Sequence, residues 1–316
     1  MKIKVLPPVV KAFDPETYVM DEELKNAVEV AIALNQPILL TGEPGTGKTR
    51  LADKVAHELA KGKGDYKFNP KPLSFFTKTT SAARDLFYTY DALGHFQAAN
   101  IKREETQKAP KTADFIELQA LGLAIARTNP KELDHSKFKT VVDQEALSSV
   151  VLIDEIDKAP RDFTNDLLNE IERYEFFLKE EDNFAIKRGE EQRIVVIMTS
   201  NSEKNLPDAF LRRCVFYHIP FPDKERLLMI AKAQLGEATK FTDQMLSDLI
   251  GRFDEVRSKA LRKPPATAEL IGWLRVLEMQ GVLDGDSKKQ QKALRDNLSI
   301  LVKTKEDLEA VRAMFL

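Results

Sequence analysis

The sequence contains the octapeptide Gly42-Glu43-Pro44-Gly45-Thr46-Gly47-Lys48-Thr49. It fits the pattern G-x-x-x-x-G-K-[ST], in which glycines allow backbone N–H groups to approach and surround phosphate oxygens. The apolar run 38–41 precedes the octapeptide and predicts a strand, and a helical pattern begins at Lys48. A helix that starts at the loop adds the positive end of its dipole to the site. Strand, loop and helix together predict a phosphate-binding loop at residues 42–49.

The polar residues of this loop have expected roles. Lys48 is expected to contact the β- and γ-phosphates of a nucleotide, and Thr49 is expected to place its hydroxyl on Mg²⁺. Arg50 continues the helix and is included with residues 42–49 among the nucleotide-binding residues. A coincidental glycine turn with this pattern is expected in roughly one chain of this length per hundred, so the phosphate-binding interpretation is favoured.

Two acidic residues follow the apolar run 150–153, which predicts a second strand. Asp154 and Glu155 would stand at the carboxyl end of that strand, where open α/β sheets bind ligands. We expect Asp154 to bind Mg²⁺ through its water shell, and Glu155 to orient and deprotonate the attacking water. An acidic pair after a strand is by itself usually a solvated strand end, but the phosphate loop in the same chain favours the catalytic role.

Another apolar run, 194–199, ends just before Ser200 and Asn201. A neutral amide at that sheet edge can hydrogen-bond both the γ-phosphate and the attacking water without adding charge. Asn201 is therefore a predicted catalytic residue. The alternative is an ordinary turn asparagine.

An arginine pair, Arg212 and Arg213, follows a short helix predicted at 206–211. An arginine supplied by a neighbouring subunit can neutralise the charge that develops on the transferred phosphoryl group. We expect this role from one of the pair and prefer Arg213. The alternative is a surface pair that makes weak ion pairs.

The wider pattern predicts an α/β fold. Several apolar runs are hydrophobic at consecutive positions, which is typical of parallel strands covered on both faces. They alternate with helical patterns and predict a doubly wound parallel sheet in a domain over residues 1–220. From Phe221 onward helical stripes predict a C-terminal α-helical lid domain over 221–316. The expected strands are 38–41, 73–77, 150–153, 194–199 and 215–219.

The composition limits the function classes. Lys and Arg number 48 against 50 Asp and Glu, so the chain has no overall positive field with which to hold a nucleic acid. Cys214 is the only cysteine, which excludes an intrachain disulfide and makes a zinc cluster very unlikely. No apolar run approaches the length of a membrane span. We therefore expect a cytoplasmic protein without a membrane span, and nucleic acid is disfavoured as a partner.

In their order along the chain these features resemble the AAA+ ATPases and, more narrowly, the MoxR family. The stretches that carry the narrower resemblance are 79–88 with 91–93, 206–214, and 262–267 with 273–275. The resemblance implies a sheet of strand order 5-1-4-3-2, with ATP and Mg²⁺ as ligands; the preference for ATP over GTP depends on it alone. It also implies a homo-oligomeric ring, usually a hexamer, and a chaperone-like role in remodelling or maturing a protein substrate. A partner with a von Willebrand factor A domain is common in that family.

The resemblance makes further predictions. The long interval between Lys48 and Asp154 fits an insert near the second helix, and residues 175–193 fit a hairpin before the strand that precedes Asn201. Many AAA+ lids present an arginine at the start of a lid helix, but residues 266–269 contain none. Arg262 and Arg275 are possible substitutes, and the role stays unassigned.

Three aromatic residues of the insert have two interpretations. Phe87, Tyr88 and Tyr90 could line a central pore, although aromatics at this spacing more often belong to a core. At the level of function, two alternatives to a remodelling ATPase stay open. One is a nucleotide-gated assembly switch with slow turnover, and the other is a nucleic-acid-stimulated motor, against which the near-neutral charge argues.

Overall fold

The computed structural model describes residues 12–104, 110–201, 206–281 and 287–312. Its strands are β1 Ile38–Gly42, β2 Leu73–Phe76, β3 Tyr88–Tyr90, β4 Ile116–Leu118, β5 Ser149–Asp154, β6 Glu175–Leu178, β7 Phe184–Lys187, β8 Ile194–Thr199 and β9 Val215–Ile219. Its helices are α1 Glu22–Leu34, α2 Lys48–Lys61, α3 Ala92–Glu104, α4 Ala120–Thr128, α5 Arg161–Arg173, α6 Asp208–Leu211, α7 Lys224–Leu235, α8 Asp243–Lys259, α9 Thr267–Met279, α10 Ser287–Asp296, α11 Leu298–Leu301 and α12 Lys305–Arg312. Among these described helices none is long and apolar enough to cross a membrane.

The central sheet has the order β2-β5-β8-β1-β9. The β2–β5, β5–β8 and β1–β8 pairs are parallel. When its five strands are numbered along the chain, the order is 5-1-4-3-2 read from the β9 edge, which confirms the prediction. The predicted fold class, a doubly wound α/β sheet followed by helices, is therefore also confirmed.

Burial follows the position of each strand in the sheet. Every residue of β1, β5 and β8 is buried, because these inner strands are covered on both faces. The edge strand β2 alternates between half-buried and exposed positions. The register aligns Ile153 of β5 with Met198 of β8, so the residues that follow these two strands leave the sheet side by side. This alignment brings together the ends of the two predicted catalytic strands.

Two smaller sheets, each of two strands, accompany the central sheet. Strands β3 and β4 pair antiparallel, and β6 and β7 form the hairpin predicted before β8. Phe87 and Tyr88 are each 1% exposed, and their rings lie 5.1 and 6.2 Å from the ring of Phe176. The pore interpretation is therefore wrong for these two residues, which belong to the core. Tyr90 is half-buried, and its hydroxyl lies 2.7 Å from Nδ1 of His95.

The chain forms two compact units, each with its own core. One contains residues 22–41 and 49–218; the other contains residues 42–48, the described residues up to Asp21 and the described residues from Ile219 onward. In the second unit the helices α7–α12 surround Phe253 and Trp273, which are 0% and 1% exposed. The predicted division into residues 1–220 and 221–316 stays a prediction.

Candidate functional site

Lys48 hydrogen-bonds to the backbone at the start of the phosphate loop. Its Nζ donates hydrogen bonds to the carbonyl oxygens of Gly42 at 2.8 Å and Glu43 at 2.9 Å. The residue is 7% exposed, so its ammonium is oriented by loop backbone and is little solvated. Burying a charge in this way is costly unless strong acceptors surround it, and phosphate oxygens are such acceptors.

Two glycines of the loop are required by conformation and by packing. Gly45 and Gly47 have φ values of 78° and 91°, in the left-handed region that favours glycine. A Cβ on Gly45 would lie 2.8 Å from the Cβ of Ala266, and one on Gly47 would lie 3.3 Å from a ring carbon of Tyr18. A side chain at either position would therefore strain the backbone and crowd its neighbours, so the loop keeps the bare backbone that an anion cradle requires.

The remaining residues of the loop are more exposed. Thr46 donates its hydroxyl to the carbonyl oxygen of Glu43 at 2.8 Å, which tightens the turn, and Pro44 is exposed. Arg50 lies on the outer face of α2, where its guanidinium pairs with Asp53 at 3.3 Å. Its predicted role in nucleotide binding stays a prediction.

The acidic end of β5 forms a hydrogen-bonded chain with two threonines. Asp154 is 9% exposed, and its Oδ1 accepts hydrogen bonds from the hydroxyls of Thr49 at 3.0 Å and Thr199 at 2.6 Å. Thr49 is the first residue after Lys48, so the peptide bond between them joins the phosphate loop to this acidic end. A hydroxyl and a carboxylate are the oxygen ligands that Mg²⁺ prefers, and this pair therefore fits the predicted magnesium site.

Glu155 is held by contacts with its backbone and its carboxylate. Its φ of 56° is left-handed, and its N–H donates to the hydroxyl oxygen of Thr199 at 2.9 Å. The carboxylate accepts a hydrogen bond from Lys158 and a longer one, 3.5 Å, from Nδ2 of Asn201. The hydrogen bond to Glu155 raises the pKa of Lys158 above its ordinary value. Glu155 and Asn201 are thus brought together as the strand order predicts.

Thr199 is a site residue that sequence analysis missed. Its hydroxyl donates to Asp154 and accepts from the N–H of Glu155, and so it links the two acidic residues. A threonine at the end of an apolar run is unremarkable in sequence. Its role follows from the register of β5 and β8, which no local pattern specifies.

A comparison with protein-family models identifies residues 38–222 as the ATPase family associated with various cellular activities (AAA). This range is more than half of the 316 residues. The chain belongs to the AAA family. A comparison with curated proteins finds no match.

Several solved structures are similar to this chain. The FIGL-1 AAA domain in complex with ADP has 16% identity and a TM-score of 0.45, over 92% of this chain and 86% of that chain. A RuvB variant from Thermotoga maritima has 16% identity and a TM-score of 0.47, over 91% of this chain and 70% of that chain. A structure that concerns katanin self-assembly has 18% identity and a TM-score of 0.41, over 94% of this chain and 83% of that chain. All three TM-scores are below 0.5, so these similarities are weak.

The arginine pair of this AAA domain follows α6. Both arginines are exposed, and Nε of Arg213 lies 3.3 Å from the carboxylate of Glu172 on α5. The side chains of Arg213 and Glu172 are 48% and 61% exposed, so the ion pair between them is weak. The role of either arginine in a neighbouring site stays a prediction.

The lid arginines that the sequence suggested have other partners. Arg275 donates to the carbonyl oxygen of Gln234 at 3.0 Å, and Arg262 lies 3.5 Å from the carboxylate of Glu306. Among the described residues of the helical unit, Arg257 pairs with the phosphate loop, because its Nη2 lies 2.6 Å from the carboxylate of Glu43. Sequence analysis missed this residue, which stands at the end of α8 without a motif.

Proposed function

We propose that this AAA chain is a ring-forming ATPase of the MoxR branch that hydrolyses Mg-ATP to remodel or mature other proteins. The observation that carries the proposal is the chain of hydrogen bonds from Thr49 through Asp154 and Thr199 to the N–H of Glu155. It begins at the residue that follows Lys48. Metal-binding oxygens and a candidate base are thereby linked to a phosphate loop, which is the set of groups that phosphoryl transfer to water requires.

Nucleotide binding is assigned to residues 42–50. The backbone N–H groups of the loop and the ammonium of Lys48 compensate the charge of the phosphates. Thr49 would bind Mg²⁺ directly, and Asp154 would bind it through water. The Mg²⁺ that these two residues would hold would supply positive charge to offset the charge of the phosphates.

Hydrolysis is assigned to Glu155, Asn201 and an arginine from a second subunit. Glu155 orients a water molecule and accepts its proton, and its left-handed backbone is stabilised for that task by the hydroxyl of Thr199. The amide of Asn201, which already reaches the Glu155 carboxylate, hydrogen-bonds the γ-phosphate and the same water. Arg213 neutralises charge on the phosphoryl group of the neighbouring subunit. Its exposed side chain supports this assignment.

The protein substrate, the hexameric ring and a partner with a von Willebrand factor A domain are proposed from the resemblance of residues 79–93, 206–214 and 262–275 to MoxR proteins. A cytoplasmic location is part of the same proposal. The near balance of 48 basic and 50 acidic residues supports a protein substrate over a nucleic acid.

One observation favours a second function, a nucleotide-gated assembly switch with slow turnover. The carboxylate of Glu155 is already paired with Lys158. A base that pairs with an ammonium must exchange that partner for water before each turnover, which slows hydrolysis. Comparing turnover with and without a protein partner separates the switch from the remodelling ATPase.

The proposal is tested with Glu155→Gln, which keeps the shape of the side chain and loses its basicity. We expect the variant to bind Mg-ATP with wild-type affinity, to hydrolyse it at least about tenfold more slowly, and to assemble when ATP is added. Captured from native cells with Mg-ATP, it should retain protein substrates and partners.

Lys158→Gln removes the exposed ammonium beside Glu155 and leaves the carboxylate in place, so its turnover should not fall below that of the wild type. Faster turnover by this variant would favour the switch, because the pair would then restrain hydrolysis. Wild-type turnover by Glu155→Gln would contradict the assignment of the base. Stimulation of the wild-type ATPase by DNA or RNA would favour the motor over a protein-remodelling function.

A further inference from the structure

Arg257, at the end of α8, is held by three contacts in its own unit. Its Nη1 donates to the carbonyl oxygen of Pro265 at 2.6 Å, and its guanidinium carbon lies 3.6 Å from the centre of the Phe221 ring. Its Nη2 lies 2.6 Å from the carboxylate of Glu43. The side chain is 17% exposed. Two of the three contacts do not involve Glu43, so Phe221 and Pro265 orient the guanidinium even without that carboxylate.

Glu43 places a carboxylate in the loop that is proposed to bind phosphates. It is the second residue of the phosphate loop, and its carbonyl oxygen accepts hydrogen bonds from Lys48 and Thr46. These contacts fix its backbone within the loop. An uncompensated negative charge at this position would repel a triphosphate and would partly cancel the positive charge of Lys48.

We propose that Arg257 is a positioning residue that neutralises Glu43 and thereby allows the phosphate loop to accept anionic phosphates. The inference depends on the proposed binding of nucleotide to residues 42–50. It assigns to α8 a role in nucleotide affinity that acts through the charge of Glu43 and needs no contact between Arg257 and the nucleotide.

Removing Arg257 and removing the charge of Glu43 should have different effects on nucleotide binding. Loss of Arg257 leaves the charge of Glu43 unpaired beside the loop. Loss of the Glu43 charge leaves an oriented cation, because Phe221 and Pro265 still hold the guanidinium. Arg257→Met should therefore weaken nucleotide binding, whereas Glu43→Gln should preserve or strengthen it. Removing both charges should restore binding.

The experiment measures the Kd of Mg-ADP by calorimetry for the full chain, both single variants and the double variant. We expect Arg257→Met to raise Kd about tenfold, equivalent to about 1.4 kcal/mol, and this loss to shrink at high salt. Glu43→Gln should bind at least as well as wild type, and the double variant should lie within about threefold of Glu43→Gln. Arg257→Lys, which keeps the charge, should retain most of the affinity.

Arg252→Met is the matched control. It removes an arginine of the same helix whose carboxylate partner, Glu255, is 51% exposed, and it should leave Kd unchanged. Thermal unfolding without nucleotide reports the stability of every variant.

An unchanged Kd in Arg257→Met overturns the inference. A double variant as weak as Arg257→Met also overturns it, because Arg257 would then act through the fold or by contacting phosphate. Absence of Mg-ADP binding by the wild-type chain overturns the proposed function and this inference together, whereas wild-type binding with either of the first two results overturns the inference alone.

Discussion

Replacing Thr199 with valine tests the hydrogen-bonded chain at the acidic end of β5. Thr199 is 1% exposed, and valine has nearly the same shape, so the substitution removes two hydrogen bonds without opening a cavity. The bond to the Asp154 carboxylate, 2.6 Å long, is of the charged kind that contributes about 1.5–3 kcal/mol. The N–H of Glu155 loses its acceptor at 2.9 Å, which costs about 1–3 kcal/mol when no water replaces it. Allowing for partial hydration of this N–H, we expect the free energy of unfolding to fall by about 3 kcal/mol.

The assay is chemical denaturation of the chain without nucleotide, followed by ATPase turnover at a temperature where the variant is folded. Turnover should fall about tenfold or more, because the left-handed backbone of Glu155 is no longer fixed. Thr199→Ser keeps the hydroxyl and should retain most of the activity.

Thr77→Val is the matched control. Thr77 is 5% exposed, and its hydroxyl has no hydrogen-bond partner among the described residues. Removing an unpaired buried hydroxyl should leave stability unchanged or increase it. A Thr199→Val variant as stable as Thr77→Val, with wild-type turnover, would refute the role assigned to this hydroxyl.

Two further predictions concern the phosphate loop and the subunit interface. Lys48→Ala should abolish detectable ATP binding in calorimetry, because it removes the ammonium that lies inside the loop, and wild-type affinity would reject the loop assignment. Arg213→Ala should bind ATP normally but lose most hydrolysis, since arginine fingers contribute roughly 10³ to 10⁵ in rate. Mixed rings of Arg213→Ala and Glu155→Gln subunits should recover part of the activity, whereas Glu172→Gln, which removes the partner of Arg213 in its own chain, should stay active. Mixtures that exchange subunits and stay inactive would refute action on a neighbouring subunit.

Those parts of the fold that depend on contiguous residues were predictable. The runs that became β1, β5 and β8 are apolar at consecutive positions because each is covered on both faces. The strand, loop and helix around residues 42–49 were also predictable, because glycines between an apolar run and a helical pattern are a local feature of the backbone. The strand order was predicted from the resemblance and is observed in the sheet.

The aromatic residues of the insert show where local pattern is insufficient. Phe87 and Tyr88 fit both a pore and a core by spacing, and only their packing against Phe176 distinguishes the two. A side chain's burial depends on what another segment places against it. That information is distributed over the chain and is absent from any short window.

The sequence alone therefore determined the loop between β1 and α2 and the acidic end of β5, because those residues are neighbours along the chain. The chemical roles of these residues stay predictions from their types. Only the tertiary structure revealed Thr199 and Arg257. Thr199 joins Asp154 to Glu155 through the register of β5 and β8, and Arg257 reaches Glu43 through the packing of α8. Register and helix packing are settled by the sum of many distant contacts, so the partners of these two residues cannot be read from the residues beside them.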